Sequence, residues 1–217
     1  ERRMETKELK KAPAAGVFDN DMVEQTGGFP KEPHMLKNGD IILLYTDGIE
    51  EAKRNFRNEN FEKITCQEPG LGENEEHGGT HLVGADNEEF TNGRIYDIVN
   101  AVLSRSTYRL YKYHNPFGEE DLEFDFSECE GTIEDAVIAL ISVEKIFRIY
   151  PHPEAGERDL IRVDRNIDEF LKEHFLQYGS YFTHPVEQEQ PGQYAVFSHL
   201  REDEQYDDLT ILGILRK

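Results

Sequence analysis

Apolar residues in this chain form short continuous runs near residues 41–45 and 209–215 and take helical spacing between them. Ile41-Ile42-Leu43-Leu44-Tyr45 is apolar and β-prone but too short for a helix, so it predicts a buried strand. Asn38-Gly39-Asp40 before it is a turn signal, because Asn and Gly tolerate positive φ. Thr46-Asp47-Gly48 breaks the strand. Residues 49–54 then restart as a predicted helix, with Glu50 and Glu51 first and Lys53 and Arg54 last, the order a helix dipole favours. At the other end Tyr206-Asp207-Asp208 opens a second predicted strand over 209–215, Leu-Thr-Ile-Leu-Gly-Ile-Leu.

The stretch between these runs is mixed. Residues 1–15 are charged and then rich in Pro and Ala, as in a frayed helix or linker; a short connecting strand is expected around 21–24. Residues 55–89 are polar, acidic and glycine-rich, the pattern of a long mobile loop. Ile95, Ile98, Val99, Val102 and Leu103 then fall at i, i+3, i+4, i+7 and i+8, an amphipathic helix with Thr91 or Asn92 as its cap. Residues 122–126 alternate as a half-exposed strand. Thr132 caps a helix expected to reach about Glu144, and residues 145–150 form an apolar, β-prone run stopped by Pro151-His152-Pro153. Asp164-Arg165-Asn166 opens a helix carrying Ile167, Phe170, Leu171, His174 and Tyr178 on one face. A strand is expected at 194–197, and Glu202 to Glu204 reads as a solvated charge run. Periodicity alone supports mixed α and β.

Composition narrows the functional classes. Lys plus Arg number 24 against 45 Asp plus Glu, a formal charge of −21. That excess argues against nucleic acid and against an anionic membrane surface, both of which call for basic residues. No apolar run approaches the ~20 residues of a membrane span. Cys66 and Cys129 form no CxxC pair and no disulfide framework, so a reducing, cytoplasmic setting is expected. The eight histidines show no HxH or HExxH spacing, which makes a zinc site improbable. Cys66 has no neighbouring basic cluster and gets no nucleophile role; Gly70-Leu71-Gly72 lacks the strand and helix of a phosphate loop. His174 reads as a core-edge histidine. The chain opens on Glu1, and it is expected to be an excised portion of a longer one.

If the strands at 41–45 and 209–215 are neighbours, Asp47 and Asp207 converge at one end of a sheet. Converging carboxylates repel unless a proton or cation lies between them, and oxygen-only ligands suit a hard cation such as Mg²⁺ or Mn²⁺. The segments GDIILLYTDGIEEA and DDLTIL resemble, in order, the TDG and terminal DD motifs of the metal-dependent protein phosphatases of the type-2C (PPM) superfamily. Within it they are most similar to the stage II sporulation protein E-like branch. The resemblance covers about the first sixty residues and the last fifteen or so. It implies an α+β fold, an αββα sandwich present here as its C-terminal portion over residues 1–217, with an inserted α/β segment at about 107–190.

The resemblance further implies hydrolysis of phosphoserine or phosphothreonine on a regulatory protein, for example an anti-sigma-factor antagonist, by a water activated between two Mn²⁺ or Mg²⁺ ions. Asp47 and Asp207 would be metal ligands, and Asp208 would hold backbone or an outer metal. Gly48 would permit the turn behind Asp47; Thr46 and Thr210 would satisfy strand-end backbone groups and not act as catalysts. The family's earlier acidic strand and D-x-x-G-x-G segment, which supplies the bridging aspartate, have no counterpart here, and no phosphate-binding arginine can be placed. An upstream phosphatase half or sensor is therefore expected to supply the other ligands, and this segment alone is expected to be inactive. The alternative is a catalytically silent phosphoprotein-binding module of the same fold. A haloacid-dehalogenase-like phosphatase would need a DxD motif that Asp47-Gly48-Ile49 does not provide.

Overall fold

The computed structural model describes residues 4–5, 20–25, 28, 33–65, 73–74, 79–80, 86–111, 121–155, 159–187, 192–205 and 207–217. Its elements run α1 (Asn20–Gln25), β1 (Ile41–Tyr45), α2 (Asp47–Glu50), β2 (Lys53–Asn55), β3 (Glu73–Asn74), β4 (Gly79–Thr80), β5 (Asn87–Glu89) and α3 (Thr91–Ser104). Then come β6 (Thr107–Leu110), β7 (Leu122–Asp125), α4 (Ile133–Arg148), β8 (Ile149–Pro151), β9 (Ile161–Asp164), α5 (Arg165–His174), α6 (Tyr178–Tyr181), β10 (Tyr194–Phe197), β11 (Leu200–Glu202) and β12 (Ile211–Leu215). The fold is α+β. Among the described residues the strands pair antiparallel in twos: β1 with β12, β2 with β5, β3 with β4, β6 with β7, β8 with β11, and β9 with β10.

One hydrophobic core joins these pairs to the helices. Helix α3 buries Ile95, Ile98 and Val102 against α4, which supplies Ala136, Ala139, Leu140 and Val143. Strand β7 alternates as its sequence predicts: Leu122 and Phe124 point inward with Phe126 beyond them, while Glu123 and Asp125 face partly outward. Helix α5 closes that side with Phe170, Leu171 and His174, and Phe175 stacks on Phe124 at 4.9 Å between ring centres. Helix α4 also lies across β12. A Cβ on Gly213 would run into the Ile133 side chain, so the glycine lets helix and strand touch.

Several boundaries differ from those the sequence predicts, each for a physical reason. The predicted helix over 49–54 ends at Glu50, because Lys53 and Arg54 turn into β2 and pair across it with Glu89 and Glu88. The polar stretch after Arg54 is not all loop. Phe56 and Arg57 are buried, and β5 pairs with β2. Residues 21–24 lie in a short helix, α1, with Asp21 in the first turn where the helix dipole favours an acid. Neither Thr91 nor Asn92 caps α3. Phe90 takes the cap position, Thr91 adopts φ +64°, and the Asn92 carboxamide accepts a hydrogen bond from the Tyr45 hydroxyl instead. A lost cap costs ~1 kcal/mol, less than the ~1.5–3 kcal/mol from burying any one of Ile95, Ile98 or Val102.

Thr132 does cap α4, in a reciprocal box with Asp135. The helix continues past Glu144 to Arg148, since Ile146 and Phe147 prolong its buried stripe and Arg148 pairs with Glu144 one turn back; only residues 149–151 are strand. Asp164 caps α5 by accepting from the Asn166 amide. The charge run at 202–204 is not solvated throughout. Asp203 is buried and Glu202 pairs with Lys145 and Arg148. Residues 6–19, Cys66, Gly70-Leu71-Gly72 and Tyr206 lie outside the described residues.

Candidate functional site

Strands β1 and β12 pair over their full lengths, Ile41 opposite Leu215 and Tyr45 opposite Ile211. Antiparallel register therefore brings the residues after Tyr45 beside those before Ile211. The ladder continues one step outside the strands, where the Thr46 amide donates to the Thr210 carbonyl at 3.0 Å. The Thr46 hydroxyl fastens the same corner. It accepts from the Thr210 amide at 3.0 Å and donates to the Asp208 carbonyl at 2.8 Å. Thr46 thus spends its hydroxyl on backbone, and Thr210 takes part through its backbone.

Gly48 fits directly behind this corner. A Cβ there would stand 2.5 Å from the Asp208 carbonyl oxygen and 3.2 Å from that of Asp207. Real Cβ atoms do not approach oxygen so closely, so the Thr-Asp-Gly and Asp-Asp segments meet backbone to backbone only because residue 48 has no side chain. Asp47 opens α2 and is exposed, as are Asp207 and Asp208. The sequence suggests a costly carboxylate at the mouth of a buried strand. In the fold its exposure removes most of that cost.

The strand itself is also less buried than its composition predicts. Side chains alternate across the ribbon. Leu43, Tyr45 and Ile211 face the core, whereas Leu44 and Leu212, directly opposite one another, are each 52% exposed, and Ile214 is 41% exposed.

The Asp207–Asp208 turn carries its own bonds. The Asp208 amide donates to Asp207 Oδ1 at 2.7 Å, and Gln205 Nε2 donates to the Asp207 carbonyl at 2.9 Å. An open cleft of about 530 Å³ is lined by Gln205, Asp207, Asp208 and Leu209. On the opposite strand Tyr45 anchors α3 through Asn92 at 2.6 Å. Burial, and then the neighbouring Glu50 carboxylate, push its phenol above the ordinary tyrosine range.

The donor set at this corner is oxygen only, which suits a hard divalent cation in kind. It is short in number: among the described residues no group of three or more His, Cys, Asp and Glu side chains is placed to hold a metal ion. Asp47, Asp207 and Asp208 are the residues that would contribute.

No family model, curated protein or solved structure matches the chain. Its function is therefore argued from its own residues. Gln205 and Asn92 belong to the site's framework in roles the sequence did not assign: Gln205 stood out only by its place two residues before the Asp-Asp pair, and Asn92 was read as a candidate helix cap.

The second cluster of chemically capable side chains lies away from this corner. Cys129 Sγ is 3.7 Å from His174 Nε2, and His174 Nδ1 donates to the Asp125 carbonyl at 2.9 Å. Burial, then the carboxylates of Asp135, Glu173 and Asp125, push the Cys129 thiol up to about 11. A thiol so raised is a hydrogen-bond donor and not a nucleophile. His174 sits within the core, 5% exposed.

Proposed function

We propose that this chain is the C-terminal portion of a metal-dependent serine/threonine phosphatase domain of the type-2C kind, acting on a phosphorylated regulatory protein such as an anti-sigma-factor antagonist. The observation that carries the reading is the contact between the two acidic strand tips, with Gly48 against the backbone of Asp207 and Asp208. Residues 160 positions apart need not be neighbours. The pairing of β1 with β12 makes them so.

In this reading Asp47 and Asp207 hold a divalent cation, Mn²⁺ or Mg²⁺, and Asp208 serves through its carbonyl and an outer contact. When bound, such a metal centre supplies an activated water at neutral pH and offsets phosphoryl charge. The chain's own residues set the frame. Thr46 locks β1 to the turn before β12, and Gly48 admits the Asp208 carbonyl to the back of the corner. The remaining ligands come from an upstream half, whose sheet would also cover Leu44, Leu212 and Ile214 in an αββα sandwich. A chain with formal charge −21 repels a phosphorylated partner, so substrate approach depends on the cation reversing the local sign.

Mn²⁺-dependent hydrolysis of p-nitrophenyl phosphate by the longer protein tests this. Activity lost in Asp47→Ala/Asp207→Ala supports it. No activity in the parent, or full activity in the double variant, refutes it. A second reading, a silent phosphoprotein-binding module, is favoured by the shortage of metal-holding groups among the described residues. It predicts binding of the phosphoprotein unchanged by EDTA.

A further inference from the structure

Three of the eight histidines, His152, His184 and His199, stand on segments that backbone hydrogen bonds join at one junction. His199 lies in the corner between β10 and β11. Its carbonyl accepts from the His152 amide at 2.8 Å and its amide donates to the Ala155 carbonyl at 3.2 Å, so the turn at 152–155 is fastened to the corner. On the other side residues 184–186 run beside β10. The Val186 amide donates to the Val196 carbonyl at 2.8 Å, and the Ser198 amide donates to the His184 carbonyl at 3.0 Å. His199 holds φ +62°, a left-handed value that a non-glycine residue keeps only where its surroundings fix it. Val196, Phe197 and Leu200 are buried at the junction, and Phe197 packs on Phe182 at 4.6 Å between ring centres.

The junction is built for uncharged rings. His152 is 7% exposed and lies 4.7 Å from the Phe61 ring. Two N–H groups are turned on it: the Glu154 amide reaches Nδ1 at 3.2 Å, and Arg201 Nη1 stands 3.2 Å from Nε2. A neutral imidazole has one lone pair to offer and an imidazolium none, so a proton would set N–H against N–H at both nitrogens. The charges around the ring come from three elements: Arg201 on β11, Arg57 after β2, and Glu154 and Asp159 in the loop after β8. Burial first, then Arg201, hold the ring below the ordinary histidine range, with Arg57 adding to them and the two carboxylates opposing. The exposed rings of His184 and His199 stack 4.1 Å apart between centres. Their polar partner is the Ser198 hydroxyl, 3.0 Å from His199 Nδ1. Two positive charges at that separation repel even in water.

We propose that His152, His184 and His199 form an acid-released latch, closed while the rings are neutral and opened by their protonation, which frees residues 152–155 and 184–186 from the β10–β11 corner while the core between α3 and α4 stays folded. Asp47, Asp207 and Asp208 take no part in it. The sign follows from His152. A histidine held below its unfolded value, ~6.5, supports the closed form above that pH and loses that contribution as pH falls through the lower folded value. A tenfold weaker hold on the proton in the closed form makes opening ~10-fold easier in acid. Opening would uncover Phe182 and Phe197.

The test is an NMR titration of the 217-residue chain from about pH 8 to about pH 5, following histidine ring signals and backbone amides. Amide hydrogen exchange, corrected for its intrinsic pH dependence, is read alongside. The His152 ring should titrate below the ordinary range. At the same midpoint the His152, Val186, Ser198 and His199 amides should shift and lose protection by ~10-fold, while Ala139 and Leu140 in α4 keep theirs. Asparagine supplies the uncharged control. His152→Asn retains an acceptor for the Glu154 amide, and His199→Asn tolerates the left-handed φ. With both substitutions Val186 and Ser198 should stay protected throughout. Opening of the double variant at the wild-type pH overturns the latch. So does a wild-type His152 ring that titrates without moving the four amides, a readout that holds even if the double variant fails to fold. Loss of Ala139 and Leu140 protection in the same step would mean ordinary acid unfolding, and it refutes the proposal equally.

Discussion

Gly48→Ala is the sharpest perturbation of the corner, because local and tertiary effects predict opposite signs. Gly48 lies in the helical segment α2, where replacing Gly by Ala should by itself stabilise by ~1 kcal/mol. Its backbone is not in the left-handed region, so no conformational strain offsets that gain. The new Cβ, however, would stand 2.5 Å from the Asp208 carbonyl oxygen and 2.8 Å from its carbon. These are backbone atoms that cannot rotate away, and they are held by the Thr46 hydroxyl and the β12 ladder. Overpacking a rigid contact costs ~1–3 kcal/mol. An approach almost an ångström inside ordinary contact against fixed atoms belongs at the upper end. The net expectation is a loss of ~1–2 kcal/mol. For a chain of this length that lowers the melting temperature by ~2–8 °C, at ~2–4 °C per kcal/mol. Thermal unfolding followed by circular dichroism measures it, and amide shifts at Asp207 and Asp208 should move in the same variant. A melting temperature at or above wild type would mean that α2 and the Asp-Asp turn are not in contact, and the convergence of the two motifs would be lost.

Three further outcomes follow from the buried charges and the free thiol. Glu88 is buried between Arg54 and Arg94; burial alone would raise its pKa, but the two guanidiniums outweigh it and hold the carboxyl below the usual range. A depressed carboxyl contributes stability above its unfolded value, ~4.3, and loses it as pH falls through the lower folded value. Glu88→Gln should therefore flatten the acid limb of the stability curve below about pH 5 and cost ~3–5 kcal/mol at pH 7 by stranding two buried cations; an unchanged acid limb in urea titrations would refute the pairing. Asp203→Ala should cost a similar ~3–5 kcal/mol, because Arg57 stays buried without its partner, and a loss under ~1 kcal/mol would show Asp203 to be solvated. With a thiol at about 11, Cys129 is only ~0.1% thiolate at pH 8. Peptide mapping after iodoacetamide should find it unmodified in the native chain and modified in urea, and equal rates in both would contradict its burial.

How far the sequence spoke for itself depended on whether a signal was local. The cap at Thr132, the helix start at 164–166 and the alternation over Leu122 to Phe126 are carried by residues within four positions of each other, and the fold keeps each; the Asp135 half of the box and the Asp164 cap are added by the structure. The α3 stripe was equally plain, but its cap was not: Asn92 is taken by Tyr45, 47 positions away. Lys53 and Arg54 look like the end of a helix until Glu88 and Glu89 are seen across the ribbon. Asp203 looks like one more acid in a solvated run until Arg57 is placed 146 positions before it. Continuous apolar strands misled in the other direction. Leu44, Leu212 and Ile214 suggested burial on both faces, and the ribbon covers one. The convergence of Thr46-Asp47-Gly48 with Asp207-Asp208 was legible only as a condition, since pairing of two terminal runs cannot be derived from either run alone.

The distribution of arginines bears on what the corner needs. In the core Arg57 answers Asp203, Arg54 and Arg94 share Glu88, and Arg148 answers Glu144 and Glu202. Cations are thus committed where an unpaired charge would cost most, inside low-dielectric surroundings. At the corner the described partners of Asp207 and Asp208 are instead one backbone amide, a threonine hydroxyl and a glutamine amide, which neutralise no charge. Neutral donors can hold a turn in shape, yet they leave its field negative. A phosphorylated ligand approaching such a turn meets repulsion that shape cannot offset, whereas a divalent ion meets attraction and then presents the opposite sign outward. In the proposed phosphatase reading the cation would therefore bind before the phosphoprotein, and phosphoprotein binding should fall with EDTA; binding unchanged by EDTA would refute that order.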